Sequence, residues 1–85
     1  MTQHKNLRVV IFREEELLVA QCLEHDICVQ GDTMEKLKMR FEATLLLEGE
    51  DLETIAKAPD RFFDLWDKAE SIKTDDAFTE MRMAA

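Results

Sequence analysis

Cys22, His25 and Cys28 are the residues of this chain whose types and spacing come nearest to a chemical site. They follow a C-x2-H-x2-C pattern, and thiolate and imidazole are ligands that zinc prefers. A structural zinc site needs a fourth ligand, for which the sequence offers only His4 or a carboxylate. The alternative interpretation is two small buried thiols on neighbouring strands and a solvated histidine in the loop between them. A stand-alone domain that binds a metal or small ligand through this loop is therefore our second functional hypothesis.

Catalytic motifs of other kinds are missing from the sequence. It contains no Ser-His-Asp arrangement, no glycine-rich phosphate loop and no paired-histidine motif. A cysteine paired with His25 could act as a nucleophile, but the neighbouring Glu24 and Asp26 would raise the thiol pKa and disfavour the thiolate. The acidic residues 14–16 lack the alternating ligands and central glycine of a calcium loop. We therefore expect no enzymatic activity and no cofactor.

Length and charge narrow the remaining classes of function. The 85 residues form one small domain, and a hydrophobic fraction of 46% is enough for a core. The formal net charge of −8 opposes binding to nucleic-acid phosphates and to anionic membranes, and it favours a basic partner. No stretch reaches the roughly 18 apolar residues that span a bilayer, and residues 1–8 do not resemble a signal peptide. We expect a cytoplasmic protein with reduced thiols.

Three short apolar segments followed by a helical pattern predict the fold. Residues 7–12, 17–22 and 27–30 are predicted strands. The first two are joined by a charged turn that has no glycine, so we do not expect a two-residue hairpin loop there. The first strand is apolar on both faces and should be covered on both. The expected fold is α+β: a three-stranded antiparallel sheet covered by one long helix, in the order β-β-β-α, followed by a C-terminal helical segment.

The predicted helix runs from about residue 33 to residue 48. Asp32 and Thr33 both suit its N-cap, and Glu35 would complete a capping box if Asp32 is the cap. Gly31 is expected to leave the preceding strand through a positive φ angle, and Gly49 suits the C′ position. Spacings of three and four residues predict one buried stripe, formed by Met34, Leu37, Phe41 and Leu45. Phe41 is the expected centre of the core between sheet and helix.

The domain is predicted to have a core at about residues 7–48, a helical extension at about 51–72 and a frayed tail at 73–85. Because one helix covers only one face of a sheet, the extension could cover either the open sheet face or a second apolar patch on the main helix. The uncovered surface is expected to form a homodimer or a larger even oligomer. The candidate interface residues are Val10, Phe12, Met39, Leu46, Phe62, Phe63 and Trp66.

Three sequence strings carry a resemblance to a known family. The string Gln30-Gly31-Asp32-Thr33-Met34-Glu35, at the entry to the helix, resembles the Gly-Asp-Thr-hydrophobic-Glu stretch of HicB-like antitoxin domains. The string Ala20-Gln21-Cys22-Leu23-Glu24-His25-Asp26-Ile27 is similar to a short branch of that group. The segment Ala58-Pro59-Asp60-Arg61-Phe62 matches an Ala-Pro-x-x-Phe segment of the same branch. The resemblance covers about residues 7–70.

The resemblance implies a partial ribonuclease-H-like fold that is not a nuclease. It implies an antitoxin that binds and neutralises a small basic HicA-type ribonuclease, and the charge of −8 fits such a partner. Full antitoxins of the family usually add a C-terminal DNA-binding domain. Residues 50–85 are acidic and offer no recognition helix, and the loop between strands two and three also departs from the family pattern. Our leading hypothesis is a non-catalytic protein-interaction module.

We predict that the protein does not bind duplex DNA at physiological salt. Lys36, Lys38 and Arg40 are interleaved with Glu35 and Glu42, so no basic stripe exists to release counterions from the phosphates. A gel-shift titration with the promoter of its own gene should leave the DNA unshifted. Sub-micromolar binding in that assay would overturn the prediction.

Overall fold

The computed structural model describes residues 6–74 and 79–84 of the chain. Three strands come first and are followed by the longest helix, a 3-10 turn, a second helix and two further strands. The elements in chain order are β1 (Leu7–Glu14), β2 (Leu17–Cys22), β3 (Cys28–Gly31), α1 (Met34–Glu48), the 3-10 turn (Gly49–Thr54), α2 (Asp60–Lys68), β4 (Glu70–Ile72) and β5 (Thr79–Met83).

The strands form one five-stranded mixed sheet in the order β3-β2-β1-β5-β4. The α+β class is confirmed, but the predicted three-stranded antiparallel sheet with one covering helix is wrong. The final strand, β5, runs parallel to β1 and pairs Leu7 with Thr79 and Ile11 with Met83. It provides hydrogen-bond partners for the backbone N–H and C=O groups on the side of β1 that β2 leaves unpaired. Residues 79–83, which were expected to fray, are therefore part of the sheet.

The turn between β1 and β2 also differs from the prediction. Glu14 pairs with Leu17, so only Glu15 and Glu16 form the loop. Glu15 has a φ angle of 57° and supplies the left-handed conformation that glycine or asparagine usually provides in such a loop. A non-glycine residue pays about 1–2 kcal/mol for this conformation. The absence of glycine thus did not exclude a two-residue loop.

The central strand β1 is covered on both faces within the chain, as its composition predicted. One face carries Val9 and Ile11, which lie against α1 in a core that also holds Leu18, Ala20, Cys22, Leu37, Phe41 and Met81. The opposite face carries Val10, which lies against α2 in a second core with Leu23, Ala58 and Trp66. The C-terminal helix therefore covers the open face of the sheet and leaves the second patch of α1 in solvent.

The two glycines of the chain, Gly31 and Gly49, lie near the two ends of α1, and only Gly49 has a positive φ angle. Thr33 is the N-cap and accepts a hydrogen bond from the Lys36 backbone N–H at 3.1 Å, so the capping box from Asp32 does not form. Gly49 ends the helix with a φ angle of 47°. Gly31 does not have a positive φ angle. A Cβ atom at this position would lie 3.0 Å from the Leu37 backbone nitrogen, so the close approach of β3 to α1 favours glycine. None of the described helices is long and apolar enough to cross a bilayer.

Phe41→Ala should lower the free energy of unfolding by about 3–5 kcal/mol, as truncation of a buried phenylalanine does. Phe41 is only 2% exposed and lies centrally between the sheet and α1. The matched control is Met39→Ala on the same helix, where the side chain is 61% exposed and the expected change is about 0.5 kcal/mol. Thermal and urea unfolding measure both changes, and equal losses for the two variants would contradict the assigned core face.

Candidate protein-interaction surfaces

The structure does not bring the candidate metal ligands together. Cys28 pairs with Gln21, and successive residues of a strand point to opposite faces, so Cys22 and Cys28 lie on opposite faces of the sheet. Cys22 is buried in the core beneath α1, whereas Cys28 is exposed. Within residues 6–74 and 79–84, no group of three or more His, Cys, Asp or Glu side chains could hold a metal ion. The zinc hypothesis therefore has no site in the described part of the chain.

The loop between β2 and β3 uses its polar groups to hold neighbouring segments in place. Glu24 accepts hydrogen bonds from the backbone N–H and from Nε of Arg8, each at 2.6 Å. His25 Nδ1 lies 3.0 Å from the Ile55 carbonyl oxygen, and Asp26 Oδ1 accepts a bond of 2.9 Å from the Gln21 side chain. These bonds tie the loop to β1, to β2 and to the segment before α2. Its polar residues are structural.

Most of the predicted interface residues lie in the layer between the sheet and α2. Val10 and Trp66 are buried there, and Phe12 stacks on Phe62 with ring centroids 6.0 Å apart. Phe63 is half-buried, and the Arg8 guanidinium lies over its ring, 5.3 Å from the ring centroid. These aromatic residues cover the sheet of their own chain, and only Met39 and Leu46 of the predicted set are exposed on α1.

The α1 face, which we define as Met39, Ala43, Leu46 and Leu47, contains three of the four large apolar side chains that are exposed in the described residues. Leu46 is 83% exposed and Leu47 is 86% exposed. Leu47 was absent from the predicted interface. Its signal was the run of three leucines at residues 45–47, of which only Leu45 is half-buried against the core. Burying one leucine is worth about 1.5–3 kcal/mol, so this exposure is a substantial unused source of binding energy.

The two ends of α1 differ in charge. In its first half, Lys36, Lys38 and Arg40 are interleaved with Glu35 and Glu42, and Lys36 Nζ lies 3.3 Å from Asp32 Oδ1. Glu48 ends the helix, Glu50 and Asp51 follow it, and its last turn contains no basic residue. The helix macrodipole adds partial negative charge at that same end. The exposed apolar residues therefore have charges of both signs near the start of the helix and negative charge near its end.

A second surface, the acidic tip, consists of Glu14, Glu15, Glu16 and Leu17 in the hairpin between β1 and β2. All four residues are exposed, and Leu17 is 38% exposed. None of the three glutamates has an ion-pair partner among the residues that the structure describes. Three adjacent carboxylates beside an exposed leucine can attract lysine and arginine side chains of a partner and provide one apolar contact.

Comparison with protein-family models finds no matching family, and comparisons with curated proteins and with solved structures find no match. The HicB-like resemblance therefore stays a hypothesis that depends on the three sequence strings.

We predict that only one thiol of the folded protein, that of Cys28, reacts with a thiol reagent such as 5,5′-dithiobis(2-nitrobenzoate). Burial raises the pKa of Cys22, which lies in the core. Cys28 is exposed as a residue, but partial burial of its thiol raises the thiol pKa, and the negative charges of Asp26 and Glu14 raise it further. Because the thiolate is the reactive form, Cys28 should react slowly at neutral pH and faster as the pH rises, and Cys22 should react only after unfolding. Two rapidly reacting thiols at neutral pH, or fast labelling that survives Cys28→Ser, would contradict this assignment.

Proposed function

We propose that this protein is a non-catalytic interaction module of the HicB-like antitoxin type, which binds and neutralises a small basic HicA-type ribonuclease. The observation that carries the proposal is the acidic tip, where three exposed glutamates, which have no ion-pair partner in the described part of the chain, directly precede an exposed leucine. The net charge of −8 gives the chain a field that would accelerate the approach of a basic protein.

The composition of β1 supports a role without catalysis. A nuclease of the ribonuclease-H-like type requires an acidic metal ligand on its first strand, according to the family resemblance. In β1 the interior positions Val9, Val10 and Ile11 are fully buried and apolar. The only carboxylate of this strand is Glu14, which lies at its exposed end. A pair of metal ions would find no ligand on the interior of this strand.

The order of the elements also supports the proposal. The first four elements follow the strand–strand–strand–helix order on which the resemblance depends, and Gly31, Asp32 and Thr33 lie at the entry to α1 as the family string requires. Gly31 has a physical reason to be glycine, because the backbone of Leu37 approaches it closely. The quoted string is thus tied to a packing constraint of this architecture.

The conformation of the acidic tip adds a further argument. Glu15 holds a φ angle of 57° at a position where glycine or asparagine would be less strained. The three like charges also repel one another, which opposes the folded hairpin. A sequence selected for hairpin stability alone would avoid both costs. A basic partner that makes charge-assisted hydrogen bonds to these carboxylates would offset them.

The test uses a small basic protein encoded beside the gene of this chain, and the absence of such a reading frame would count against the proposal. We expect the two proteins to form a complex that blocks the ribonuclease activity of the partner. The double variant Glu14→Gln/Glu16→Gln should weaken this complex at least about tenfold, mainly through slower association, since charges at the rim of an interface act on the on-rate. Stopped-flow association at two salt concentrations measures the effect.

The matched control is Asp64→Asn/Asp67→Asn, which makes the same change in net charge on the exposed side of α2. We expect a small and general decrease in the association rate for this variant. Equal losses for the two double variants would mean that the acidic tip has no specific role. A complex that forms without loss of ribonuclease activity would contradict neutralisation.

A further inference from the structure

We draw no further inference here: the strongest candidate, the α1 face formed by Met39, Ala43, Leu46 and Leu47, is an exposed apolar surface patch, and nothing in the structure shows what covers it.

Discussion

The constraint on which this structure depends is that β1 is apolar on both faces. Val9, Val10 and Ile11 are all fully buried. Each would lose about 1.5–3 kcal/mol of favourable burial if its face were left in water. The chain must therefore cover both sides of one strand, and it does so with α1 on one side and α2 on the other. Because an 85-residue chain has only these two helices in its described parts, both are committed to that task.

The commitment of α2 to the sheet determines what remains exposed. The aromatic residues of α2, which are Phe62, Phe63 and Trp66, pack against the sheet, and the Arg82 guanidinium lies 4.2 Å from the centroid of the Trp66 ring. None of the described elements covers the outer side of α1, where Met39, Leu46 and Leu47 are exposed. The α1 face is exposed because α1 and α2 each cover one face of β1. An exposed apolar surface of this kind commonly serves for binding.

The two surfaces of the protein differ in the kind of partner that their chemistry fits. The acidic tip combines three carboxylates with a single leucine, so it provides attraction for a basic protein but little apolar area. The α1 face is mainly apolar, and the first half of the helix that bears it carries charges of both signs. The tip lies on the hairpin between β1 and β2, and the face lies on α1.

The sequence by itself determined the first half of the fold, because its signals there are local. Helical spacing, a threonine at the N-cap and Gly49 at the C-terminus place α1, and the burial of Phe41 follows from the same spacing. The tertiary structure decided the rest. Residues 79–83 become a strand because β1 has an unpaired side, and Cys22 and Cys28 separate because adjacent strands place them on opposite faces. The pairing of a short strand and the face covered by a distant helix are both contacts between segments far apart in the chain. A window of about ten residues therefore does not encode them.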